Sequence, residues 1–118
     1  MEDLNRAIMA NERAVVWTPE ENPNHAMYLN DLGNTLQSRF ERTGSIYDLN
    51  RAIMKKEQAI ALTTEDHPDH GGMLNNLGNV LLRLFELTGS MEDIHRAITM
   101  NEQAISLTPG VMNVPHLR

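Results

Sequence analysis

Leu74-Asn75-Asn76-Leu77-Gly78-Asn79-Val80-Leu81-Leu82-Arg83-Leu84-Phe85-Glu86-Leu87-Thr88-Gly89-Ser90-Met91-Glu92-Asp93-Ile94-His95-Arg96-Ala97-Ile98 is the stretch on which the fold turns. Leu74, Leu77, Leu81, Leu84 and Phe85 recur at three- and four-residue steps, which gathers them into one stripe along a helix. Thr88-Gly89-Ser90 breaks the stripe. Gly89 suits the left-handed residue that closes a helix, and Ser90 suits the N-cap of the next. Asp93, three residues on, can reach back to that cap and favours the positive helix end. A second stripe follows in Ile94, Ala97, Ile98, Ala104 and Ile105, ended by Thr108-Pro109-Gly110. Ala97 and Ala104 are small enough to let two helices approach closely.

The same grammar stands one period upstream. Residues 1–45 and 46–90 are identical at 24 of 45 positions. Asp3-Leu4-Asn5-Arg6-Ala7-Ile8-Met9 returns as Asp48-Leu49-Asn50-Arg51-Ala52-Ile53-Met54, and loosened as Asp93-Ile94-His95-Arg96-Ala97-Ile98. Leu32-Gly33-Asn34 returns as Leu77-Gly78-Asn79, and Thr43-Gly44-Ser45 as Thr88-Gly89-Ser90. A period of this length marks a stacked array in which each unit buries its apolar face against its neighbours. The expected fold is all-α: an α-solenoid of antiparallel helix pairs, two and a half repeats within 1–110. Five helices are expected near 2–17, 24–42, 46–62, 69–87 and 91–107, with 111–118 an irregular tail. Pro23 and Pro68 are expected in first helical turns, where a missing N–H costs nothing. Gly71-Gly72 opposes the fourth helix by about 1 kcal/mol per glycine.

Composition narrows the function classes. Net charge is −6, with no basic run, so nucleic acid and anionic membrane surfaces are poor partners. The chain has no cysteine, which removes disulfides, thiol catalysis and zinc ribbons and fits a reducing compartment. No apolar run approaches the roughly 20 residues of a membrane span, and Met1-Glu2-Asp3-Leu4 does not open a signal peptide. A cytoplasmic location is expected. Only five residues are aromatic (one Trp, two Tyr, two Phe), so the core must be built from Leu, Ile, Ala and Met. Met9, Met54 and Met73 sit beside the stripes and are expected to fill gaps there.

Leu32-Gly33-x-x-Leu36 and Leu77-Gly78-x-x-Leu81, followed by Ala52 and Ala59 or Ala97 and Ala104, and closed by Pro19 or Pro109, resemble the tetratricopeptide repeat. The usual aromatics of the first helix are aliphatic here (Leu29, Leu36 and their counterparts). The aromatic expected midway along the second helix is replaced by Asn11, Lys56 or Asn101. The longer period, with His67-Pro68-Asp69 ahead of Leu74-Asn75-Asn76-Leu77-Gly78, looks like the kinesin-light-chain-type class. The Arg39-Phe40-Glu41-Arg42-Thr43-Gly44-Ser45 turn is similar to long arrays that accompany caspase-like or nucleotide-binding signalling domains. The resemblance implies a right-handed superhelix and a non-catalytic scaffold for a protein or peptide partner.

It also implies that the first helix of each pair lines a concave groove, which places Asn30, Asp31 and Asn34 beside Asn75, Asn76 and Asn79. Asn30/Asn34 and Asn75/Asn79 are four apart, so each pair projects from one helical face. An amide offers both donor and acceptor, the complement of an extended peptide backbone. The alternative is that these amides serve neighbouring helices or face water. Asn stands where a carboxylate-clamping lysine would be needed, which argues against capture of a chain terminus.

Other constellations carry less. His25, His67, His70, His95 and His116 never assemble a metal-ligand spacing, and no metal or other cofactor is expected. Glu65-Asp66 and Glu92-Asp93 fall at helix starts, where the dipole explains them, and nothing points to a catalytic residue. Gly71-Gly72 lacks the lysine and strand of a phosphate loop. Met1 aligns with Ile46 and Met91, so the first helix is of the second type without its partner. Its Leu4, Ile8, Val15 and Trp17 are expected to leave an apolar face open for homo-oligomerisation. A chain that is part of a longer array, or the sensor arm of a larger signalling protein, explains the same open end.

Overall fold

The computed structural model describes residues 1–106 and consists of five α-helices, with no strand among the described residues. They are α1 (Glu2–Trp17), α2 (Asn24–Thr43), α3 (Ile46–Ala61), α4 (His70–Thr88) and α5 (Met91–Ser106). The expected stop at Thr108-Pro109-Gly110, the tail 111–118, His116 and the side chain of Ile105 lie outside what is described. Two compact units divide the chain, Met1–Thr63 with α1 to α3, and a second from Thr64 with α4 and α5.

The Thr-Gly-Ser turns act as the sequence implies. Gly44 and Gly89 take φ of 75° and 73°, the left-handed region, and their N–H groups donate to Phe40 O and Phe85 O at 2.6 Å. The threonine does further work. Thr43 Oγ1 donates to Arg39 O at 2.9 Å and accepts the Ser45 N–H at 3.2 Å. Thr88 repeats both bonds with Leu84 O and Ser90 N. The hydroxyl thus satisfies one terminal carbonyl of the closing helix and orients the residue that opens the next. Ser45 caps α3 by accepting the Asp48 N–H at 3.3 Å.

The prolines sit slightly earlier than expected. Pro23 is the residue before α2, and Pro68 lies two residues before α4. Each belongs to a tight turn, closed by His25 N to Asn22 O at 2.9 Å and by His70 N to His67 O at 3.0 Å. The fixed φ of proline serves the turn that feeds the helix rather than the helix itself.

In the first unit, Ile8, Leu32, Leu36 and Ala52 form a core cluster, with Leu4 and Val15 packed against it. Leu29, Phe40, Leu49 and Ala59 are also buried. In the second unit the buried apolar residues are Leu74, Leu77, Val80, Leu81, Leu84, Ala97 and Ala104. Leucine and alanine fill the interior as composition requires, and of the three methionines expected there only Met73 is half-buried. Met9 and Met54 are half exposed, because one residue past Ile8 or Ile53 the helix has turned about 100° away from the stripe.

Close packing of the paired helices depends on glycine. A Cβ on Gly33 would lie 3.2 Å from Ala52 O and 2.8 Å from Lys56 Cγ, and one on Gly78 would lie 3.2 Å from Ala97 O. Glycine on one helix and alanine on the other let the backbones touch, which is what the recurring Leu-Gly and alanine positions encode.

Candidate functional site

On α2, Asn30 is half-buried while Asp31 and Asn34 are exposed. Their four-residue spacing keeps Asn30 and Asn34 on one face, but Asn34 is already engaged. Its Oδ1 accepts a 2.6 Å hydrogen bond from Lys56 Nζ. Asp31 lends its backbone carbonyl to Asn11 Nδ2 at 3.4 Å and to Thr35 Oγ1 at 3.2 Å, leaving its carboxylate toward solvent. On α4, Asn75, Asn76 and Asn79 are all exposed, and their side chains make no hydrogen bond among the described residues.

Two polar arrangements beneath these faces are absent from the sequence-level expectations. Lys56 is buried at 2% exposure, its stem lying across Gly33 and its amine held under Asn34. Loss of hydration disfavours the charged amine and lowers its pKa below the ordinary lysine value. The signal for this was available: the stripe Leu49, Ala52, Ile53, Ala59, Ile60 runs through position 56 at helical spacing. In the third copy of this position Asn101 replaces the lysine, and its buried Oδ1 has no partner among the described residues.

The second arrangement is the pair of Arg39 and Asp48. Arg39 Nε and Nη2 donate to the two carboxylate oxygens of Asp48 at 2.8 and 2.9 Å, a bidentate fork. Hydrogen bonding to Asp48 raises the guanidinium further above its already high value. Arg39 Nη1 also donates to Asn5 Oδ1 at 3.1 Å, and Arg51 Nη2 meets Glu12 Oε2 at 2.8 Å, so two arginines fasten α1 to its unit. Asp48 therefore does not reach back to its cap in the way proposed for Asp93. Asp93 instead accepts from Thr88 Oγ1 at 3.4 Å, since Leu84 stands where Arg39 stands in the first unit.

The residues expected for self-association separate into two groups. Ile8 is buried, and Leu4 and Val15 are half-buried against the α2 core. Trp17 protrudes at 83% exposure, beside Val16 at 80%. Leu4, Ile8 and Val15 share the stripe that meets α2, whereas Trp17 lies beyond it around the helix. Met9, Glu12, Arg13, Val16 and Trp17 line a shallow depression on α1.

The histidines have local explanations. His25 is buried and its Nδ1–H donates to Thr18 O at 2.7 Å. His67 Nδ1 accepts the Asp69 N–H at 3.0 Å, the part that Asn22 Oδ1 plays for Asn24 N at 2.8 Å one period earlier. Among the described residues no three His, Asp or Glu side chains come together as a metal site. No described helix is long and apolar enough to cross a membrane.

Glycine against an alanine carbonyl and an αL turn recur in both helix pairs. Residues 72–106 match the tetratricopeptide repeat. The match spans α4 and α5 and supports a tetratricopeptide reading of that helix pair. Residues 27–61, one period upstream, carry the same Leu-Gly-Asn and paired-alanine positions of the tetratricopeptide pattern. No curated protein and no solved structure matches the chain.

Proposed function

We propose that this protein is a non-catalytic tetratricopeptide scaffold that holds an extended peptide against the amide-bearing faces of its first-type helices. The observation that carries this reading is the set of exposed amides on α4, Asn75, Asn76 and Asn79, which no described side chain engages. Asparagine is a poor helix former, and a helix that displays three on its surface gives up stability that local packing does not return. The equivalent positions on α2 of the first unit are Asn30, Asp31 and Asn34, of which Asn34 is held by Lys56. The long period supports a kinesin-light-chain-like subclass, and a chain without cysteine fits a cytoplasmic setting.

Selection of peptides from a displayed library on the intact chain, followed by titration of the best binder, tests the reading. Asn75→Ala combined with Asn79→Ala is expected to weaken binding at least tenfold, about 1.4 kcal/mol, while the melting temperature rises slightly because alanine is the better helix former. Undiminished binding would remove these amides from the site. Asn34→Ala is the less clean probe, because it also strips Lys56 of its acceptor.

A second reading, self-association, is favoured by the exposed Val16 and Trp17. Sedimentation velocity over a wide concentration range is the measurement. Growth abolished by Trp17→Lys supports self-association, and a monomer at every concentration ends it.

A further inference from the structure

Helices α2 and α4 carry the same exposed amide, Asn34 and Asn79, one residue past the glycine that touches the second-type helix. What lies beneath that amide differs between the two units. In the first, the Lys56 stem crosses Gly33, with Cγ and Cε at 2.8 and 3.5 Å from the point a Cβ would occupy. The stem ends with Nζ on Asn34 Oδ1 at 2.6 Å. In the second unit Asn101 stands at the position of Lys56. Its Oδ1 and Cγ lie 2.5 and 3.0 Å from the matching point on Gly78, so the shorter side chain ends over the glycine. Asn101 Oδ1 is buried with no partner among the described residues, and the Asn79 side chain one residue further on stays exposed.

We infer that the residue at this position of the second-type helix decides which helix pair accepts a peptide: Lys56 closes α2, and Asn101 leaves α4 open. The inference rests on the scaffold reading above and narrows it to a single seat on α4. Its physical cause is desolvation. Lys56 is buried, so a peptide that takes Asn34 Oδ1 strands an amine that cannot turn to water. A buried donor stripped of its acceptor costs more than one surface hydrogen bond returns. Asn79 carries no such penalty, and its amide exchanges water directly for the donors and acceptors of a peptide backbone. The passage for a lysine is nevertheless preserved in the second unit. Gly33 faces Ala52 O and Gly78 faces Ala97 O at the same 3.2 Å from the Cβ point, so a lysine at position 101 fits as Lys56 does.

Asn101→Lys in the intact chain is the test, with Asn101→Met as the variant that fills the same passage without an amine. The first readout needs no peptide. In nitrogen-resolved NMR spectra the lysine variant is expected to shift the side-chain amide signals of Asn79 more than those of Asn75 or Asn76. The methionine variant leaves them near the parent's. Asn79 signals unmoved by the lysine, or moved as far by the methionine, would overturn the inference. For the second readout, a displayed library of random linear peptides is panned on the parent chain, and the binder recovered is titrated into both variants. Binding at least tenfold weaker to Asn101→Lys, and within about twofold of the parent for Asn101→Met, is expected. Equal binding by the lysine variant would overturn the inference, as would equal loss in both variants, which would make position 101 merely structural. An empty selection on the parent ends the scaffold reading and any peptide seat on α4, and the amide signals then decide the lysine lock alone.

Discussion

Replacing Arg39 by leucine copies into the first unit what the second unit already has at Leu84, and the cost should be large. Asp48 is buried at 4% exposure and receives two charge-assisted hydrogen bonds, 2.8 and 2.9 Å long, from that one guanidinium. Removing one partner of a buried ion pair costs about 3–5 kcal/mol, because the other charge remains desolvated. Arg39 keeps 24% of its side chain exposed, so water can enter where it stood. That relief brings the expected loss to about 2–4 kcal/mol. The Asn5 bond goes with it, loosening α1. For a domain of this size each kcal/mol moves the melting midpoint by about 4–8 °C, so the transition should fall by about 10 °C or more. The informative variant is the double replacement Arg39→Leu with Asp48→Leu. Asp48→Leu keeps the backbone N–H that Ser45 caps, and an apolar pair of similar volume should return stability to within about 1 kcal/mol of the parent. Urea unfolding followed by circular dichroism closes the cycle. A loss below about 1 kcal/mol for Arg39→Leu, or a double variant as damaged as the sum of its singles, would refute the argument that desolvation of Asp48 dominates.

Three further outcomes are expected. Gly33→Ala, despite a helix-propensity gain of about 1 kcal/mol, should destabilise by about 1–2 kcal/mol in thermal melts, since its Cβ meets Lys56 Cγ and Ala52 O. Combining it with Lys56→Ala should recover most of that loss. Gly44→Ala should cost about 1–2 kcal/mol through its positive φ alone, because open space surrounds it, and Gly44→Asn should cost less. Lys56 makes stability depend on alkaline pH: burial lowers its folded pKa, so between that value and the unfolded one, about 10.4, the unfolded chain holds more protons and stability rises with pH. Below both values the penalty is full and flat, and above both it is gone. Urea midpoints measured across this range should lose their slope in Lys56→Met.

The helices were legible because their stripes are long and their ends carry chemistry. Thr43-Gly44-Ser45 and Thr88-Gly89-Ser90 each state a stop and a start, and the paired alanines announce close approach, whereas the part of Gly33 and Gly78 in it shows only in the packing. The polar interior was harder to read, for a reason in the repeat itself. Comparing the copies draws attention to what recurs, and Arg39 does not recur at Leu84, nor Lys56 at Asn11 or Asn101. Asp48 does recur, and its helix-start position suggested a cap when its real partner was an arginine nine residues upstream. Helical spacing leaves Asn34 open either to a partner or to a neighbouring helix, and only the Lys56 bond shows that α3 holds it. Ile8 looked available on a helix expected to be open, but the stripe it belongs to serves the following helix. Which of two apolar sides of a helix is covered is a tertiary fact that periodicity does not carry.

Within each unit the extensive packing joins helices consecutive in the chain, α1 with α2, α2 with α3, and α4 with α5. That arrangement has a consequence for how the protein is made. Partners so near in sequence give a low contact order, for which folding takes roughly microseconds to milliseconds. A ribosome adding roughly 5–20 residues per second needs seconds to deliver one further repeat. Each helix pair can therefore close as its second helix emerges, and the nascent chain carries at most one unpaired leucine stripe at a time.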